Sequence, residues 1–170
     1  TASGIPWNFS PVLDVARDAR WPRFWETFGE APKLVSDMGV AMVKGYQEGP
    51  SPIAATLKHY VGYSRPLTGK DRTPAWIPER QLRQIFIPPF AAAIDAGAAS
   101  IMVNSGDVNG IPVHVDHHIL TDILRDELGF EGMVVTDWED IKYLFSRHMV
   151  AADYKDAIDM AINAGIDMSM

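Results

Sequence analysis

Residues 129–140 read GFEGMVVTDWED. Between two glycines and a threonine lies a short apolar run, Met133-Val134-Val135, with Phe130 behind it. A run of that length and β-branched content fits a buried strand. It leads directly into Thr136-Asp137-Trp138, which sets a bare carboxylate beside the largest aromatic side chain. Such an ending is poor packing and good chemistry, so Asp137 is the first residue to explain.

The neighbourhood of this strand repeats along the chain. Residues 93–102 read AIDAGAASIM and residues 161–170 read AINAGIDMSM, with Ala, Ile, Ala, Gly and Met at the same five of ten places. In each, a helix ends at a glycine suited to the left-handed position after a C-cap, and an apolar strand follows at once. The strands expected at Ser100–Asn104, Met133–Asp137 and Ile166–Met170 therefore start 33 residues apart, the size of one βα unit. Two less regular strands are expected at Pro11–Val15 and Ile53–His59. Between them, helices are expected from Pro32 onward, over 79–96 with a kink or restart at Pro88-Pro89, from an Asp116 cap to Gly129, and over 154–164.

Strand and helix alternate, which predicts an α/β fold with a parallel sheet. A doubly wound open sheet would close within this length, but SGDVNG and VGYSRPLTG do not match a phosphate-binding glycine loop. A closed (β/α)8 barrel takes about 250 residues. The expectation is therefore a partial TIM-type barrel with about five βα units in one domain over residues 1–170. The chain opens at Thr1-Ala2-Ser3-Gly4 without Met or a leader-like segment, which reads as an internal start within a longer sequence.

Bulk composition narrows the partners. A net charge of −7 argues against nucleic acid or an anionic membrane surface. No apolar run approaches the roughly 18 residues of a membrane span. With no cysteine, disulfides, thiol nucleophiles and thiolate metal sites are excluded.

In a barrel, function gathers where strands end. Reading only those positions gives Lys58-His59, Asn104-Ser105 and Asp137-Trp138, with Arg17, Asp18, Arg20, Arg23 and Glu26 among two tryptophans after the first strand. Each has a plainer role when taken alone. Asp137 serves equally as a helix cap, Lys58 as a surface lysine, His59 as a hydrogen-bonded core histidine, and the tryptophans as core. It is their coincidence at one face that points to a site. His114, His117 and His118 have metal-like spacing, but Pro112 and the Asp116 cap place His114 outside the helix, so no metal site is expected. Ser105 lacks the first glycine of a nucleophile elbow. Glu139 and Asp140 read as first-turn acids of the following helix.

Three strings then carry a resemblance, in order along the chain. RDARWPRFWETFGEAP at 17–32 and KHY at 58–60 resemble the two sugar-binding signatures of glycoside hydrolase family 3, and GFEGMVVTDW resembles its nucleophile motif. GKDRTPAWI and IMVNSGDVNGIPVH resemble β-glucosidase-like members of that family. The resemblance implies an N-terminal barrel domain of a retaining, exo-acting β-glucosidase or exo-β-glucanase. It implies Asp137 as nucleophile, and Arg23, Lys58, His59, Trp138, Ser105 and Met102 as residues around the terminal sugar. The implied partner is a β-glucoside or β-glucan oligosaccharide, with no cofactor, in a periplasmic or secreted setting. Retention needs a second carboxyl about 5–5.5 Å from the first.

The chain departs from the family pattern in places. Ser105 stands where many members carry tyrosine, and YVGYS follows Lys58-His59 instead of the PGHG of the N-acetylglucosaminidase branch. Neither the upstream glycon-binding aspartate nor the acid/base has a counterpart here, and the rest of the polypeptide is expected to complete the enzyme. Two other readings stay open: a Schiff-base lyase or aldolase using Lys58, and a non-catalytic carbohydrate-binding fragment.

Overall fold

The computed structural model describes residues 3–170; Thr1 and Ala2, part of the opening read as an internal start, lie outside the described residues. Among the described residues there are five strands: β1 (Thr56–Tyr60), β2 (Ser100–Val103), a small antiparallel pair β3 (Asp107–Val108) and β4 (Ile111–Pro112), and β5 (Met133–Val135). β1, β2 and β5 form one parallel sheet in that spatial order. Two more segments extend the same parallel ladder. On the β1 side Trp7 bridges Ala54 and Val12 bridges Lys58, and on the β5 side Val135 bridges Met168. Five parallel positions in chain order, each connected through helical segments, are the staves of a partial (β/α)8 barrel.

The expected strands at Pro11–Val15 and Ile166–Met170 are thus bridges rather than strands, for local reasons. Pro11 has no N–H to give. At the other edge the Asp167 carboxylate takes the Val134 N–H at 2.7 Å, a proton that a regular ladder gives to a backbone carbonyl. The strand expected from Ile53 starts at Thr56.

The helices follow their signals. α1 (Pro32–Gln47) opens on its proline. α2 (Glu79–Gln81) runs through a π-helical segment, Leu82–Phe86, into α3 (Ile87–Asp95), where the two prolines occupy a new first turn. The π segment is how the chain stays helical across Pro88-Pro89. Asp116 caps the π-helical stretch His118–Glu127, accepting Ile119 N–H at 3.2 Å, and Gly129 turns out of it at φ +63°. α4 (Asp140–Ser146) follows the Asp-Trp motif, and α5 (Tyr154–Ala164) is capped by Asp153, whose side chain takes the Asp156 N–H. No helix among the described residues is long and apolar enough to cross a membrane.

The sheet register sorts the core. Leu57, Ile101 and Val134 are lateral neighbours and all fully buried in the apolar cluster shared with the helices. Met102 and its neighbour Val135 are buried but lie outside that cluster. One face of the sheet is thus covered by helices, as a parallel sheet requires. At the lower end Thr56 and Ser100 hydroxyls lie 2.7 Å apart, and both accept from Trp7 Nε1.

Gly132 is where β5 has least room. A Cβ there would lie 2.4 Å from the Ala99 carbonyl oxygen and 2.6 Å from the Phe130 ring. Since backbone cannot swing aside as a side chain does, Gly132→Ala should destabilise the fold by about 1–3 kcal/mol or more. Thermal denaturation should show this as a melting point lower by several degrees, whereas an unchanged melting point would contradict the packing at β5.

Candidate active site

The parallel sheet aims the C-terminal ends of β1, β2 and β5 the same way, so the residues that follow them meet. Asp137 lies two positions past β5 with both oxygens engaged. Oδ1 accepts the Trp138 N–H at 2.7 Å and Oδ2 accepts Arg72 Nη2 at 3.1 Å. It is therefore not a side-chain cap of α4, whose first residues carry no such bond. A carboxylate clamped at both oxygens cannot rotate, and one kept partly open to solvent can still reach a ligand.

Lys58 and His59 come from β1. Burial pushes the Lys58 ammonium below the ordinary lysine range, Arg23 pushes it further, and Glu26, Asp137 and Asp14 pull it back. Those five residues therefore surround one half-buried point. Arg23 is held on Glu26 by two bonds of 2.8 Å, and its guanidinium carbon lies 5.6 Å from the Tyr63 ring centre. That bond draws the Glu26 carboxyl below its usual range.

His59 is fully buried. Its backbone N–H and its Nδ1 both lie on Asp14 Oδ2, at 3.1 and 2.8 Å. Burial lowers its pKa, so the ring is neutral, with Nδ1 holding the proton for Asp14. Nε2 is left without a hydrogen-bond partner, an acceptor suited to a hydroxyl.

Trp138 is 68% exposed, a flat apolar wall beside the carboxylate. It also lines a cavity of about 440 Å³ with Glu139, Lys142, Phe145, Tyr154 and Met170. Asp137 is not among those lining residues. Trp21 is core, donating to Asp71 at 3.0 Å, while Trp25 is 90% exposed beside Arg23. Met102 and Ser105 are buried below the surface on which Lys58 and Asp137 open. His117 and His118 both pair with Asp122 on the outer surface, and His114 turns inward instead.

Three functional neighbours escape a reading of strand ends. Asp14 closes the segment beside β1 and was within reach of the same rule. Arg72 sits in the long connection after β1 at φ +55°, a position no periodicity marks. Asp140 is no simple first-turn acid: it is 2% exposed and accepts Arg72 Nη1 at 3.0 Å.

Comparison with known proteins places the chain in a family. The chain matches the Glycosyl hydrolase family 3 N terminal domain over residues 1–170. It is 54% identical to a lysosomal beta glucosidase of Dictyostelium discoideum, over 99% of this chain and 22% of the relative. It is 41% identical to a beta-xylosidase of Formosa agariphila, over 99% of this chain and 24% of the relative. A periplasmic beta-glucosidase of Salmonella typhimurium is 40% identical over 98% of this chain and 22% of the relative. The crystal structure of a beta-glucosidase from Listeria innocua superposes with a TM-score of 0.95 at 36% identity, covering 99% of this chain and 24% of that one. That enzyme has also been crystallised with glucose, and a mutant of it with laminaribiose. The chain thus spans between a fifth and a quarter of the length of each of these proteins. With three motifs at one end of a parallel barrel sheet and a family match along its whole length, the chain belongs to glycosyl hydrolase family 3.

Proposed function

We propose that this chain supplies the nucleophile-bearing part of a retaining, exo-acting β-glucosidase or exo-β-glucanase. Asp137 attacks the anomeric carbon of a terminal non-reducing β-D-glucosyl residue and carries it as a covalent glycosyl ester, which water then hydrolyses. The observation that carries this reading is the carboxylate at the end of β5, clamped by Arg72 and the Trp138 N–H and faced by the Lys58 ammonium from β1. Lys58, Arg23 and the free His59 Nε2 satisfy sugar hydroxyls that would otherwise be costly to desolvate. Trp138 offers the sugar ring an apolar face. The work is shared with a longer polypeptide, because the outer segments of the ladder each have one neighbour among the described residues and a barrel edge demands two. The lysosomal and periplasmic relatives suit a compartment outside the cytosol.

The nucleophile is tested on the full-length polypeptide with a 2-deoxy-2-fluoro-β-glucoside, followed by digestion and mass spectrometry. The adduct is expected on Asp137 itself, located by fragmenting its peptide; an adduct on Glu139, Asp140 or Glu26 would overturn the assignment. Parallel assays with aryl β-glucoside and aryl β-xyloside decide the sugar, a glucoside preference being expected.

Lys58 binds hydroxyls and forms no imine, because carboxylates surround it and a carboxylate already serves as nucleophile. Borohydride treatment with sugars or keto acids should leave its mass unchanged. Lys58→Ala should lower kcat/KM by about 1.5–3 kcal/mol, the range for losing a charged hydrogen bond. A reduced adduct on Lys58 would favour the lyase reading.

A further inference from the structure

Beneath the clamped nucleophile lies a second carboxylate that the reaction, as proposed, does not use. Asp140 opens α4, three residues past Asp137, and its side chain is turned into the protein instead of toward solvent. One guanidinium spans both acids. Arg72 Nη1 meets Asp140 Oδ1 at 3.0 Å and Nη2 meets Asp137 Oδ2 at 3.1 Å. Arg72 is itself fixed from behind, since its backbone carbonyl accepts from Arg147 Nη2. We infer that Asp140 is a positioning residue of the glycosidase reaction, acting through Arg72 to hold the Asp137 carboxylate in its attacking orientation and to balance the guanidinium charge when Asp137 becomes an ester.

The charge count gives the second part of that role its reason. Before attack, Arg72 has two carboxylate partners. Attack by an Asp137 oxygen forms the C–O bond to the anomeric carbon as the bond to the leaving oxygen breaks with its electron pair on that oxygen, an aryloxide for an aryl glucoside, and the carboxylate becomes a neutral ester. Without Asp140, Arg72 would then be a partly buried cation with no counter-charge, which is costly. With Asp140 ionised, it keeps one full partner through glycosylation and deglycosylation alike. A planar five-donor fork suits this bridging, and a lysine would not serve both acids at once.

The surroundings of Asp140 show that its charge is maintained at a cost. Arg72 from the connection after β1, the Ser105 hydroxyl after β2, Asp137 after β5 and His114 from the turn at 113–115 all face it. His114 Nε2 lies 3.5 Å from Asp140 Oδ2, and burial holds that ring down to about 3, so it is neutral and supplies no charge; His148 stands behind it. Arg72 is therefore the one cation facing Asp140 among these groups. Burial pushes the Asp140 carboxyl up to about 6 against the pull of Arg72, and the buried Ser105 hydroxyl stands near it without a formed hydrogen bond. As pH falls through that region Asp140 takes a proton, Arg72 shifts wholly onto Asp137, and turnover declines.

The inference rests on Asp137 as nucleophile, and the experiment separates the two. In the full-length polypeptide, Asp140→Asn keeps the shape and an acceptor for Arg72 but removes the charge. Its kcat on an aryl glucoside should fall about 100-fold, the scale of a misplacement of roughly 1 Å, with KM within about twofold because Asp140 touches no substrate. The acid limb of kcat/KM, near pH 6 in the parent, should move to lower pH in the variant, a change that a merely structural loss would not produce. Should Asp140→Asn fail to fold, Arg72→Lys reads the same coupling and should show the same fall in kcat at near-constant KM. Parent-like kcat and an unmoved acid limb in a folded variant would overturn the inference while fluoro-sugar labelling of Asp137 still upholds the glycosidase reading. Labelling elsewhere in the parent would remove both.

Discussion

Everything at this site depends on three short strands lying parallel. Because β1, β2 and β5 run the same way, whatever follows each of them emerges at the same end of the sheet. An antiparallel arrangement of the same segments would send Asn104-Ser105 to the end opposite Lys58-His59 and Asp137-Trp138. The register row of Leu57, Ile101 and Val134 holds that arrangement by burying one sheet face against helices. Polar side chains are thereby left to the strand ends. The tight place at Gly132 belongs to the same constraint: β5 lies close enough to the strand before it that a methyl group has no space.

At the mouth of that sheet the charges are matched in pairs. Arg23 is held by Glu26, Arg72 by Asp137 and Asp140, and His59 by Asp14. Lys58 alone has no direct carboxylate bond among the described residues, and its pKa is depressed chiefly by burial. Paired cations are fixed in place and contribute geometry, whereas an unpaired half-buried ammonium retains donors for an incoming ligand. That difference makes Lys58 the group best suited to hydroxyls, and Arg72 the one best suited to holding the carboxylate.

Much of this was legible in the chain itself. The 33-residue spacing of β2 and β5 and the glycines ending the intervening helices gave the parallel units, and the rule that barrel chemistry follows strands gave Lys58, His59, Asp137 and Trp138. Pro32, Asp116 and Tyr154 marked helices that form where expected. What stayed hidden has a common cause. Arg72 and Asp140 matter through a contact spanning 68 residues, and no local period encodes such a pairing. Asp140 looked like an ordinary first-turn acid because sequence carries helix position but not burial. Asp167 and Pro11 disturbed the outer strands through hydrogen bonds that hydrophobic pattern does not register.

The same pairings bear on where a proton donor for the proposed reaction can lie. A general acid must hold its proton near neutral pH and reach the leaving oxygen. Asp140 comes nearest to the first condition, burial raising its carboxyl to about 6, and fails the second, because it is buried and turned toward Arg72. Glu26 faces the mouth but is held below its usual range by Arg23, so it is ionised when the acid is needed. Asp14 is committed to His59, and Glu139 to Lys142 at 3.1 Å. Each of these four carboxyls is therefore held by its own partner. None of these four suits the acid/base of the proposed reaction, and the chain spans 22% of the lysosomal relative it resembles. An elevated pKa alone would have marked Asp140 as the acid, a role that its burial and its bond to Arg72 oppose.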